Sequence, residues 1–317
     1  MANAFTDSSG SSLGTSLVQA GYDKYVEMAL RPITVVRAVA DKRPVQVDKP
    51  SNTITFQLYN DLAVATTPLT ETVDPDSVAI PNTTSVTATL NEYGNAALVT
   101  RKLELTALSD VDPAVANILA YNMNDSLETL ALTTLRQGTN VLYQVDGTAG
   151  NFNTTGPTNT VTAASRISSK IIRRAVTELR ARNAQPKRGD LFWCGIHPRV
   201  SIDLREETGS AAWRTPHEYV ANSAIWNGEI GVYEGAAFVE SNRMYSATDG
   251  SASAKVYRTL VLGQQALAEA VGEEPHTVVG PVVDKLNRFR PLGWYGFLGW
   301  CRYREAAIQR IETSASS

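Results

Sequence analysis

The segment Pro113 to Gln137 runs for 25 residues with no glycine or proline after its first position. As a helix it would extend roughly 37 Å at 1.5 Å per residue. Asp112-Pro113 is a start signal, an N-cap acceptor followed by a proline where no N–H is needed. Gly138 follows Arg136 and Gln137, a C′ glycine beside a cation suited to the negative end of the helix dipole. Val115, Leu119, Met123 and Leu127 recur at i+4, Leu130 continues the stripe, and Ile118, Leu132 and Leu135 lie off it. The spacing predicts a helix covered on more than one side. Alone, it fits a core helix of an ordinary α+β domain whose flanking segments must supply the packing surfaces.

The preceding segment has a different period. Thr53 to Tyr59 alternates, with Ile54, Phe56 and Leu58 on one face and Thr53, Thr55 and Gln57 on the other. Ser85 to Leu90 returns after a stretch containing Pro68, Pro75 and Pro81, and Ala97 to Leu105 reads as a second return. The result is a two- or three-stranded ribbon whose connection far exceeds the usual loop of a compact domain. An isolated hairpin is marginal in water, so this one must lie on its own domain or on another subunit. It also has a sign: between Lys49 and Arg101 there is no base, yet Asp61, Glu71, Asp74, Asp76 and Glu92 are all acidic.

The whole chain, 317 residues with 43% hydrophobic, can build a real core and divides into two subdomains. A net charge of −3 argues against a dedicated nucleic-acid binder. Residues 1–160 carry 9 Lys/Arg against 16 Asp/Glu, whereas residues 161–317 carry 20 against 16, so the halves differ in sign. Residues 1–20 are rich in small polar residues and have little to bury. They contain no base and no apolar core of a secretory signal, and no run reaches membrane-span length. Cys194 and Cys301 read as buried free thiols of a protein made in a reducing compartment. Gly21 to Leu30 is a short helical pattern closed by Pro32. Ser165 to Asn183 is amphipathic, with Ile167, Ile171, Ala175, Val176 and Leu179 inward and Arg166, Lys170, Arg173, Arg174 and Arg180 outward. Strands are expected at Leu191–Ile196 and Val256–Leu262, and Ile230–Val239 reads as a turn with small residues followed by a strand. A short helix should follow His197-Pro198, a short helical piece Gly263, and extended chain should run from Val278 to Ile311.

A search for chemistry is negative. Neither GxxxxGK[ST] nor a GxGxxG after a strand is present, and Gly10 to Gly14 matches GxSxG only in a segment without a strand-to-helix elbow. Cys194-x-x-His197 has metal-like spacing but lacks a second ligand pair. A solvated face is the ordinary meaning of the basic helix; phosphate is the functional one. No catalytic, cofactor-binding or metal residues are assigned, and a hydrolase would need a convergent polar pocket that the sequence does not offer.

In the order of its elements the chain resembles HK97-fold major capsid proteins of tailed bacteriophages. Locally, Gly228 to Asn242, Tyr257 to Gly263 with Ala266, and Pro291 to Trp300 are similar to the branch typified by the phage N4 major capsid protein. The resemblance implies an α+β capsid fold: an N-terminal arm (1–50), an extended β-hairpin E-loop (51–105), a peripheral domain with a spine helix (106–138), an axial domain (139–270) and return strands (271–317). It implies a structural shell protein rather than an enzyme, building hexamers and pentamers of an icosahedral virion, made in host cytoplasm. Its partners would be other copies of itself, a portal, a decoration protein and non-specifically packaged double-stranded DNA, with no membrane and no cofactor. The absence of a long N-terminal extension implies a separate scaffolding protein or arm-driven assembly. An encapsulin-like compartment is the same fold in another role. Within this frame Glu71, Asp74 and Asp76 are expected to meet a neighbour's basic region, which holds Lys285, Arg288, Arg290, Arg302, Arg304 and Arg310, with Arg288 and Arg290 as the leading candidates. Arg166, Lys170, Arg173 and Arg174 would face DNA.

Overall fold

Two β-sheets share one long helix. The computed structural model describes residues 34–44, 52–72, 74–106, 111–145, 151–207, 229–281, 284, 286 and 288–316. The helical pattern at Gly21–Leu30 and Lys285 lie outside the described residues. The first sheet has the order β1 (Asp41–Pro44), β12 (Leu267–Val279), β13 (Phe289–Arg302), β4 (Asn91–Thr100), antiparallel except for the β1–β12 pair. The second runs β6 (Phe152–Asn153), β5 (Val141–Gln144), β14 (Ile308–Thr313), β11 (Val256–Leu262), β7 (Phe192–Ile196), β9 (Ala236–Glu240), β8 (Glu229–Tyr233), with β10 (Ser246–Ala247) beside β11. β14 lies between β5 and β11, so the returning strands after residue 271 divide between the two sheets instead of staying beside the long helix.

Arg101–Thr106 forms a short helix, α1, where a strand to Leu105 was expected; the Thr100 hydroxyl accepts from the Leu103 N–H at 3.3 Å and starts it. The long helix α2, Val111–Leu135, begins two residues earlier than the Asp-Pro signal suggested, leaving Pro113 in the first turn, where an N–H has no intrahelical acceptor. Its stripe does two jobs. Leu119 and Leu127, with Val115 and Met123, pack against Trp294 and Leu298 of β13. One turn on, Ala131 and Leu135 pack on Trp193, Leu260, Leu262 and Ile308 of the second sheet. Ile118, off the stripe, is 53% exposed. Gly138 does not adopt the left-handed conformation expected of a C′ glycine. It is needed for close approach: a Cβ there would lie 3.2 Å from Glu305 Oε1 and 3.3 Å from Ile308 Cγ2. The helix end is capped by another cation, Arg310, whose Nη1 donates to Gly138 O at 3.0 Å and to Arg136 O.

The opposite face of the second sheet is covered by α3 (Ser169–Ala181), whose Ile171, Ala175, Val176 and Leu179 are buried against Leu142, Cys194, Phe238 and Ile311, as the amphipathic pattern predicts. Beside it, α4 (Pro198–Glu206) starts at His197, whose Nδ1 accepts from the Arg199 N–H at 3.2 Å. Leu267–Val279 follows Gly263 as strand, not helix: the Ala/Leu/Glu-rich start reads helical, but pairing with β13 on one side and β1 on the other overrides local propensity.

The ribbon is a two-stranded hairpin, β2 (Thr53–Leu58) and β3 (Thr84–Thr89), in register Thr53 to Thr89, while the next strand, β4, joins the first sheet instead. Ile54, Phe56 and Leu58 pack beside Ala88, Leu90 and Tyr303, with the Phe56 ring edge-on to Tyr303 at 5.7 Å. The hairpin's base therefore rests on its own subunit. It rests closely: a Cβ on Gly299 would sit 2.2 Å from Thr89 O.

Two outcomes follow from these contacts. Gly299→Ala forces rigid backbone apart and should cost on the order of 1–3 kcal/mol, read as a lower urea midpoint. Burial, then Lys255 and Arg199, holds the His197 imidazole below its ordinary pKa, with Glu240 opposing. Folding thus favours the neutral ring, and its contribution is present above pH ~6.5 and lost as pH falls below that, when Nδ1 becomes a donor and the cap breaks. Wild-type stability should drop more between pH 7.5 and 5.5 than that of His197→Asn, whose amide caps without titrating; equal drops would contradict this.

Candidate assembly interface

Among its described residues the connection between β2 and β3 has no strand pairing of its own, and its legs are tied at the base by Asn60, whose Nδ2 donates to Asn82 O at 2.7 Å and Thr84 Oγ1 at 3.3 Å. Tyr59 beside this clamp is 81% exposed, and beyond it the tip exposes further large apolar side chains: Val64 85%, Leu69 79%, Val78 74% and Ile80 77%. Exposed Leu, Val and Ile at this density mark a surface built to be covered. Their contribution was missed in the sequence because they show no strand alternation among the prolines; the signal was their number in a segment without pairing. Glu71, Asp74 and Asp76 are exposed on the same tip, and none enters an ion pair among the described residues.

The other side of the hairpin is held by an anchored strap, residues 34–44. Glu128 of α2 is fully buried and accepts from the N–H groups of Val35 at 2.8 Å, Val36 at 2.7 Å and Arg37 at 2.9 Å. Arg37 Nη2 reaches the fully buried Glu269 of β12 at 2.8 Å and Glu274 at 3.7 Å. Lys187 Nζ binds Asp41 Oδ1 at 2.8 Å, and Arg43 lies over Tyr303 at 4.3 Å and Phe56 at 5.4 Å. The strap thus joins α2, both sheets' margins and the hairpin base. Nothing in the sequence marked Glu128, which sits mid-helix with no cation at helical spacing.

Of the bases expected to receive a neighbour's acids, only some face outward. Arg302 donates to Thr134 O at 3.4 Å and pairs with Glu305 at 2.9 Å, and Arg310 caps α2 and pairs with Glu312 at 3.0 Å. These two are structural. Arg304 is exposed and donates to Gln265. Arg288 and Arg290 are exposed, with Arg288 Nε bound to Asp284 at 2.5 Å. From Pro291 onward β13 borders an open, mostly apolar groove of 540 Å³ that includes Ala96, Val278, Pro291 and Trp294. The helix expected from Ser165 starts only at Ser169, and Arg166 lies before it in an isolated bridge to Ser314; Arg166 and, on α3, Lys170, Arg173 and Arg174 are all exposed. Arg173 pairs with Glu234 at 2.6 Å, which raises its pKa, and Arg174 with Glu178 at 2.5 Å.

The remaining chemistry is inert. Both cysteines are buried and free; burial raises the Cys194 thiol far out of range and pushes Cys301 up to about 11, and a protonated thiol is not a nucleophile. His197 is spent on its cap. Among the described residues no group of three His, Cys, Asp or Glu could hold a metal, and no helix is long and apolar enough to cross a membrane.

A family model described as phage capsid protein matches residues 29–315. No curated protein matches the chain. Among solved structures it is similar to the capsid of Ralstonia phage GP4, with a TM-score of 0.76 and 14% identity over 95% of this chain and 96% of that one. It is likewise similar to the cyanophage Pam1 capsid asymmetric unit, at 0.70 and 16% over 98% and 100%. The head structure of Helicobacter pylori bacteriophage KHP40 gives 0.69 and 12% over 93% and 96%. At these identities the likeness is one of fold.

Replacing Glu128 by Leu leaves the Val35, Val36 and Arg37 N–H groups without their acceptor, at ~1–3 kcal/mol for each donor that stays buried. The expected result is faster amide exchange at Val35 and Val36 and early proteolysis near the strap; Gln, which keeps one acceptor oxygen, should fall between. Unchanged protection in Glu128→Leu would remove the strap's anchor from the account.

Proposed function

The chain belongs to the phage capsid protein family, and on that premise we propose that it closes with copies of itself into hexamers and pentamers of an icosahedral tailed-phage head. It is a major capsid shell protein with the α+β fold of HK97-like capsids, a structural protein of the virion rather than an enzyme. The observation that carries the assembly reading is the hairpin, whose base is packed on its own sheet while its apolar tip is bare. A tip of this kind is completed by a neighbouring subunit, and an obligate contact of that sort buries more than ~2,000 Å².

In this reading residues 1–50 are the arm, 51–105 the E-loop, 106–138 the spine region, 139–270 the axial domain and 271–317 the return strands, with β14 given back to the axial sheet. The stretches Gly228 to Asn242 and Pro291 to Trp300 support the N4-type branch. A portal, a scaffolding protein and a decoration protein complete the particle, and synthesis takes place in host cytoplasm. Double-stranded DNA is held without sequence preference by the outward face of α3. Because Glu234 and Glu178 offset Arg173 and Arg174, the open charge rests on Lys170 and Arg180 of α3 and on Arg166 just before it. The family match and the capsid structures the chain resembles favour a viral shell over an encapsulin-like compartment.

The tip acids set which neighbouring surface the hairpin chooses. Glu71, Asp74 and Asp76 would meet Arg288 and Arg290 of the next copy, where Asp284 already holds Arg288 and would have to share it. Rim pairs contribute only ~0.2–1 kcal/mol each and act more on specificity than on strength. Asp74→Lys with Asp76→Lys should weaken shell assembly, seen by sedimentation and electron microscopy, and Arg288→Glu with Arg290→Glu should partly restore it. Normal assembly of the double reversal at low and high salt alike would leave the apolar tip as the only determinant.

A further inference from the structure

Between the end of α2 and the start of β11 a cavity of 120 Å³ is lined by Thr129, Thr133, Arg136, Arg243, Tyr245 and Arg258, with leucines behind. It lies on the α2 side of the second sheet, opposite α3, because Arg258 shares its side of β11 with Leu260 and Leu262. Three guanidiniums converge here. Arg243 binds Asp125 at 2.6 Å and donates to Thr129 Oγ1 at 2.5 Å. Arg258 binds Asp249 at 3.3 Å and Glu312 at 2.9 Å, and Arg310 shares Glu312 at 3.0 Å. Arg136 and Arg258 both lie over the Tyr245 ring, at 5.2 and 4.1 Å from its centroid.

The charges do not balance. Arg136, Arg243, Arg258 and Arg310 face Asp125, Asp249 and Glu312, which leaves one positive charge over, and Arg136 is the guanidinium with no carboxylate partner among the described residues. The hydroxyls are already committed: Thr129 donates to Asp125 O at 2.8 Å and Thr133 to Thr129 O at 2.8 Å. The open donors in the cavity are therefore the N–H groups of Arg136, fixed in a planar fork against an aromatic ring. A single ordered water needs only ~10–15 Å³, so the space admits a tetrahedral oxyanion. A fork of guanidinium donors with further cations behind it suits a charge-dense phosphate group carrying one net negative charge.

We propose that this cavity is a phosphate-group site centred on Arg136, filled either by a phosphodiester of enclosed nucleic acid or by a small soluble phosphate. The first source rests on the capsid reading; the site itself does not. The basic residues of α3 lie on the other face of the same sheet, so a shell cannot turn both toward its contents.

The test is equilibrium dialysis of labelled inorganic phosphate against purified empty shells, at constant ionic strength in chloride. Saturable uptake near one per subunit is expected, weakened by about tenfold or more in Arg136→Gln, as loss of a charge-assisted contact implies. Thr133→Asp, one helical turn before Arg136, should fill the site with an internal carboxylate and abolish uptake while shells still form; this keeps the test open if Arg136→Gln fails to fold. DNA-filled particles that take up less phosphate than empty ones identify enclosed DNA as the source, and equal uptake identifies the soluble anion. No saturable uptake, or uptake unchanged in both variants, overturns the proposal. So does binding by free subunits that vanishes in empty shells, which would give the site to an acidic side chain of a neighbouring copy. Failure to form any shell is scored separately by sedimentation, and the soluble chain then decides the phosphate site.

Discussion

A carboxylate buried in the middle of a helix is expensive to keep, and Glu128 is kept because three backbone N–H groups donate to it. It sits where α2 leaves the first sheet and reaches the second, so the point at which two packing surfaces meet is also where the strap is fixed. An apolar contact there would hold the strap without defining its register, whereas three converging donors accept only one placement. Arg37 repeats the logic on β12 through Glu269. Buried ionic contacts of this kind add little net stability over apolar substitutes; here we read their function as geometric, fixing the direction from which the chain enters the subunit.

The hairpin divides along its length between two kinds of physics. Its base alternates in the ordinary way and places Ile54, Phe56 and Leu58 over a cluster that includes Tyr303. Its tip abandons both pairing and alternation, so its side chains and backbone groups are left to whatever lies beyond the subunit. A continuous regular ribbon would have offered a long bare edge prone to indiscriminate pairing. Prolines at 68, 75 and 81 and acids at 71, 74 and 76 remove that hazard.

What was legible in the sequence was whatever follows from local period. The long helix, the inward face of α3 and the alternation of β2 were all plain because each buries one side of a regular element. Leu267–Val279 was not, since its Ala and Glu residues favour helix and only two flanking strands make it extended. Arg302 and Arg310 were counted as outward charge because charge alone carries no information about helix ends; their roles as donors to Thr134, Arg136 and Gly138 depend on contacts far apart in the chain. Glu128 and the Arg136 cavity were invisible for the same reason: each is assembled from several elements, and no single element announces it.

The pairing of β14 has a kinetic side. Arg310 meets Gly138, 172 residues earlier, and β14 sits inside the second sheet rather than at its edge. Until that strand has left the ribosome β5 is separated from the rest of the sheet and β11 is paired only with β7 and β10, and contacts this distant are slow to form. The helix end and the sheet are completed in one late event. A subunit still being synthesised therefore has the end of its long helix uncapped and its second sheet open, and the order of the chain itself puts the joining of these two parts last.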